Sequence, residues 1–212
     1  MKAIVFIDVQ NDFLNGGKLA FGYPKEDNLQ KLVDFANECI VDSSNKIYVT
    51  RDTHDKTLYV GMEHPLWQPL ADWIHESGPT PGERPVVPMS GYLKTLEGQK
   101  LPVEHCIEGT NGWQVADKLM DILVGHATFV NKPTFGSYDL IDIISEDFED
   151  APEEIILCGY DLSICVLANA VLLRAKYPNT KIAVKIDLCG DVDKVAFDAA
   201  VKVLQMQQID LA

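Results

Sequence analysis

Residues 156–175 read ILCGYDLSICVLANAVLLRA. The first four letters end a short apolar run that begins at Glu153, "EEIILCG" (153–159), closed by a glycine, as a strand buried on both faces should be. A short polar turn follows, and a helix is predicted from Ser163 to about Tyr177. Strand, turn and helix in that order form the repeating unit of a parallel sheet covered on both faces. The unit recurs on either side of this stretch. Further strands are predicted at "KAIVFIDV" (2–9), "KIYVT" (46–50), "ATFV" (127–130) and "KIAVKI" (181–186). Further helices are predicted from about Asp27 to Ile40, Gly112 to Val124 and Val192 to Gln207. The expected fold is α/β: a three-layer α/β/α sandwich with a mostly parallel, doubly wound sheet. Residues 1–212 are read as one domain. It carries an irregular insertion at about 56–91, rich in Pro and Gly, that holds Trp67 and Trp73.

Composition narrows the function. The 212 residues carry 18 Lys and Arg against 32 Asp and Glu, a formal charge of −14. Such a surface is repelled by phosphate backbones and anionic bilayers, so neither nucleic acid nor a membrane is an expected partner. No apolar run approaches the roughly 20 residues that span a bilayer. The 5 cysteines show no CxxC pair and leave one over after pairing, which points to a reducing cytoplasm.

In a parallel sheet, ligands sit at the carboxyl ends of the strands. Asp8 ends the first strand, Asp52 and His54 follow the second, Lys132 follows the third, and Gly159 ends the fourth. Cys158 lies within its strand and reads as a small buried residue. Cys165 falls in the first turn of the predicted helix, where unpaired N–H groups and the helix dipole favour a thiolate and a lowered thiol pKa. A thiol needs a base, a carboxylate after a buried strand needs a partner, and a lysine beside both would hold them. In "TRDTHD" (50–55), Asp52 and His54 are two apart and share one side of an extended chain. They make half of a metal site, with His64, His75 or His105 as a third ligand.

Five segments carry a family resemblance: "IDVQNDF" (7–13), "TRDTHD" (50–55), "LPVEHCIEGTNGW" (101–113), "NKPTFGSYD" (131–139) and "CGYDLSICVLANA" (158–170). In these, and in their order, the chain resembles the isochorismatase-like cysteine hydrolases, and within them the nicotinamidases. The resemblance implies an Asp8–Lys132–Cys165 catalytic triad. It implies a divalent metal, zinc first, on Asp52, His54 and His105, with Glu97 as a further ligand. The backbone N–H groups of Asp161 and Cys165 would form an oxyanion hole, and Phe13 would pack on a substrate ring. A cis peptide is implied between Tyr160 and Asp161. The chain departs from the pattern in three places. Leu162 and Ser163 stand where the family carries a hydroxyl residue and an acid, the insertion alters the pocket mouth, and "CGDVDKVAFDAA" lacks a histidine common in relatives.

The implied activity is hydrolysis of a small-molecule amide through a thioester, nicotinamide to nicotinate and ammonia above others. Another amide or carbamoyl substrate, or isochorismatase-like activity, is the alternative within the family. A silent scaffold using the Trp-bearing insertion is the alternative outside it. That insertion, tied at both ends near the metal ligands, is expected to flank the site and to contribute to a homo-oligomer contact.

Overall fold

The first apolar run forms β1 (Lys2–Ile7), and its side chains divide between two cores. Ala3, Val5 and Ile7 face one, and Ile4 and Phe6 face the other, the alternation of a strand covered on both sides. The computed structural model describes residues 1–24, 28–54 and 103–212. After β1 come a 3₁₀ turn (Asn11–Phe13), α1 (Leu29–Val41), β2 (Lys46–Asp52), α2 (Asp117–Leu123), β3 (Ala127–Lys132), α3 (Tyr138–Asp147) and β4 (Glu154–Gly159). A π-helical turn (Leu162–Val166), α4 (Leu167–Lys176), β5 (Lys181–Cys189), α5 (Lys194–Met206) and β6 (Asp210–Leu211) complete the order. Among the described residues the sheet has six strands in the order β3-β2-β1-β4-β5-β6. Every pairing is parallel. Helices α1 and α2 share a core with one face through Leu32, Ala36, Leu119 and Leu123. Helices α3, α4 and α5 cover the other through Leu140, Ile144, Leu173, Ala200 and Leu204. The three-layer, doubly wound arrangement expected from the sequence is therefore present.

The differences from expectation have local causes. The helix expected from Gly112 starts only at Asp117. The preceding residues are engaged with the loop after β1: Gln10 bridges Val115, Asn11 N donates to Gln114 O at 3.0 Å, and Ala116 N donates to Val9 O at 3.0 Å. Helix α3 was not expected. Its signals are a Ser137 cap, whose Oγ accepts from Leu140 N at 3.1 Å, and buried Leu140, Ile141 and Ile144. Strand β6 is only two residues long. No described helix is long and apolar enough to cross a membrane. The insertion at 56–91, with Trp67, Trp73, His64 and His75, lies outside the described residues, as does Glu97.

Order reverses between β1 and β4, since the chain extends the sheet to one side of β1 and then returns to build the other. That switch point lies at the carboxyl ends of the central strands, the favoured ligand position of such sheets. Gly159 makes the exit from β4 possible. Its φ is +120°, and a Cβ there would lie 2.0 Å from Ile7 O.

Candidate active site

Asp8 leaves β1 with φ 49°, a left-handed conformation uncommon outside glycine but tolerated by aspartate. Its backbone N–H donates to Thr50 O at 3.2 Å and to Thr50 Oγ1 at 3.1 Å. The Thr50 hydroxyl donates in turn to Asp8 Oδ1 at 2.7 Å. The carboxylate is thereby fixed over the switch point. Lys132 Nζ lies 2.7 Å from Asp8 Oδ2 and donates to Cys165 Sγ at 3.3 Å. It also donates to Thr134 O at 3.1 Å. Asp8 and Lys132 are 0% and 1% exposed. An unpaired charge at that depth would be costly, so the pair is mutually dependent. Burial pushes the Asp8 carboxyl up against the pull of Lys132. Burial works against the Lys132 charge too, but Asp8, Cys165 and Asp52 outweigh it and hold the ammonium protonated. The three residues that sequence reasoning grouped as a triad are brought together.

The state of Cys165 differs from the expectation. The turn it occupies is a π-helix rather than the first turn of α4. Burial pushes its thiol well up, with Lys132 opposing and a hydrogen bond to the Asp8 carboxylate reinforcing the shift. Burial thus favours the neutral thiol, the reverse of the shift expected from a helix start. Cys158 is wholly buried in β4, and burial raises its thiol as well. All five cysteines are free and buried.

Beside this cluster lies a second. Register pairs Asp52 at the end of β2 with Lys132 at the end of β3. The Asp52 Oδ1 to Lys132 Nζ separation is 3.8 Å. Asp52 Oδ2 sits 2.9 Å from His54 Nε2 and 3.1 Å from His105 Nε2. One potential ligand atom from each residue falls within 4.8 Å of the others, and all three side chains are buried. His105 Nδ1 is 2.6 Å from Val103 O, to which it donates, leaving Nε2 as the ligating nitrogen. Burial opposes the Asp52 charge, but His54 and Lys132 hold the carboxyl well below its ordinary range. Two imidazoles and a carboxylate converging on one point suit a divalent ion of the zinc type. Gln10 locks the group from behind, accepting from Asp52 N at 2.7 Å and donating to Asp52 O at 2.8 Å. Of the three histidines left open by spacing, His105 is the one among the described residues, and it is placed here.

Sequence reasoning missed two supports. Asp12 Oδ2 accepts from Cys106 N at 2.8 Å and so anchors the His105 loop. Gly112 permits this, since a Cβ there would lie 2.1 Å from Asp12 Oδ2. Asp191, just beyond β5, accepts from Ser163 N and Ser163 Oγ, each at 2.8 Å. Thus the acid absent from the turn itself, where Ser163 stands, is supplied from a neighbouring strand end. Phe13 is buried and meets His105 edge-on, with ring centroids 5.7 Å apart. The Tyr160–Asp161 peptide is cis. Asp161 and Cys165 lie at either end of the turn whose backbone was expected to form an oxyanion hole.

Known proteins resemble this chain in sequence and in fold. A nicotinamidase of Saccharomyces cerevisiae is 27% identical over 190 residues, covering 81% of this chain and 80% of the relative. The crystal structure of a nicotinamidase from Bacillus subtilis superposes with a TM-score of 0.70 at 18% identity, covering 100% of this chain and 98% of that one. A pyrazinamidase of Pyrococcus horikoshii, solved in complex with zinc, gives 0.67 at 16% identity, covering 100% and 98% of the two chains. The isochorismatase domain profile matches residues 2–211, and the chain belongs to that family.

Proposed function

We propose that the protein is a cysteine-dependent amidohydrolase that converts nicotinamide to nicotinate and ammonia. Family and fold make it a hydrolase of amide C–N bonds. The observation that carries the mechanism is the buried Asp8–Lys132–Cys165 cluster, with Nζ 2.7 Å from Asp8 and 3.3 Å from the sulfur. Asp8 accepts the Cys165 proton as Sγ bonds to the amide carbon. Lys132 stabilises the sulfur while it carries negative charge. The carbonyl oxygen turns into the N–H groups of Asp161 and Cys165, contacts of a kind worth about 3–4 kcal/mol in a transition state. Asp8 then gives its proton to the departing amine, and the C–N bond breaks to leave a thioester. Asp8 next takes a proton from water, whose oxygen attacks the thioester carbon; acid is released and the thiol is restored.

Asp52, His54 and His105 would hold the metal, taken as zinc. When bound it would anchor a ring nitrogen of the substrate and so orient the amide toward Cys165. Phe13 would flank that ring. The free cysteines support a reducing compartment, the cytoplasm. A homo-oligomer contact through the 56–91 segment belongs to the same reading.

The test is ammonia release from nicotinamide. Cys165→Ala should lower kcat by at least roughly a thousandfold and leave the circular dichroism unchanged. Cys158→Ala should retain turnover. A Cys165→Ala protein within tenfold of wild type would overturn the mechanism.

A further inference from the structure

Asp161 brings more than a backbone N–H to the site. Its side chain is 5% exposed, and Oδ1 has no hydrogen-bond partner among the described residues. Buried polar atoms are nearly always partnered, so an orphan beside reacting groups asks for a ligand. Nearby structure offers it no way out. The Asp161 carbonyl accepts from Ile164 N at 3.2 Å and Val166 N at 3.0 Å, fixing its backbone within the turn. The preceding Tyr160 ring stacks on Phe21 at 4.8 Å, and its hydroxyl donates to Asn28. Asp191, the other buried acid here, is already taken up by Ser163 and by Val192 N at 2.7 Å. Asp161 lies within electrostatic reach of Asp8, His105 and Asp52, that is, of both the base and the metal-type group. Burial, reinforced by Asp191 and Asp8, pushes its carboxyl up to about 8. A carboxyl group keeps an acceptor oxygen in either protonation state.

We infer that Asp161 is a specificity-determining residue whose Oδ1 accepts a hydrogen bond from a second donor, an N–H or O–H group carried by the substrate beside the scissile amide. This rests on the amide-hydrolase reading and ranks substrates within it: carboxamides of the nicotinamide type that carry a donor substituent are preferred over nicotinamide itself, which is still turned over. An amide without that group binds with the buried oxygen still unpaired, the situation that makes hydrogen-bonding pockets discriminate most strongly.

The experiment compares nicotinamide with its ring-amino and ring-hydroxy derivatives on the metal-loaded full chain. Wild type should favour at least one donor-bearing amide by roughly tenfold or more in kcat/KM. In Asp161→Ala the ratio should fall to within about twofold. Asp161→Asn should keep part of the preference, because its amide oxygen still accepts. Mere damage to the turn would lower both substrates alike and leave the ratio standing. Wild-type turnover with no preference for any donor, or a preference that survives in Asp161→Ala, overturns the assignment. The wild-type ratio needs no variant, so a poorly folding one does not shield the idea. If no amide at all is hydrolysed, the amide-hydrolase reading fails and this one goes with it.

Discussion

Lys132 is one ammonium shared among three acidic groups: Asp8 at 2.7 Å, the Cys165 sulfur at 3.3 Å and Asp52 at 3.8 Å. Its removal leaves two buried carboxylates facing each other without a cation. Lys132→Ala should therefore lower stability by about 3–5 kcal/mol, the usual consequence of breaking a buried pair. Urea denaturation would measure it, and a loss below about 1 kcal/mol would mean that water or protons replace the lysine readily. Asp8 was legible in the sequence because its charge directly follows an apolar run; Lys132, two residues beyond its own run, was legible through its place at the same edge of the sheet. Cys165 was legible in position but not in protonation state. That depends on how deeply the turn is buried and on which carboxylates face it, and both are set by residues far away in the chain.

The turn between β4 and α4 is an element held from outside. Asp191 takes both Ser163 donors, while Tyr23 and Gly22 donate to the Asp191 carbonyl at 3.0 and 2.9 Å. Asp191→Ala would leave Ser163 N without its partner and free the π-helical turn to relax toward ordinary helix. The expected result is a fall in kcat of roughly a hundredfold, the scale of an ångström-sized misplacement, with KM changing far less. Asp191→Asn should restore much of it. Equal losses in Asn and Ala variants would show that the charge matters, not the bonding. No local pattern announces this element, because a single π turn is too short to leave a periodicity of its own. Helix α3 was legible in principle, through Ser137 and the spacing of Leu140, Ile141 and Ile144, whereas the two pairings of β6 leave no sequence trace.

Across the whole molecule, the strands were easiest to read, because burial on both faces forces continuous apolar runs. Helix boundaries were harder, since tertiary contacts such as Gln10 with Val115 override local preference. Asp52 and His54 come from one segment and His105 from another, joined only in the fold. A metal bound there ties β2 to the loop before α2 and should stabilise the entire domain by mass action. Zinc added at about a hundred times its Kd to chelator-treated protein should contribute about 2.7 kcal/mol, raising Tm by about 5–10 °C for a chain of this size. Elemental analysis should then find one equivalent, lost in His54→Ala. A Tm indifferent to zinc would remove the metal centre.

The strand order also dictates a sequence of assembly. β1 is the first strand made, yet its neighbour β4 emerges some 150 residues later, pairing Ile7 with Gly159. A ribosome-bound chain that has reached only α3 can join Asp8 to Lys132 but possesses no sulfur at position 165 to go with them. The proposed nucleophile arrives already covered, because the β4–β1 pairing that positions Cys165 also buries it. Such long-range closure makes folding slow relative to helical bundles. In return, the thiol proposed as nucleophile exists during biogenesis either in a loose, unactivated segment or in the finished site, with little time in between.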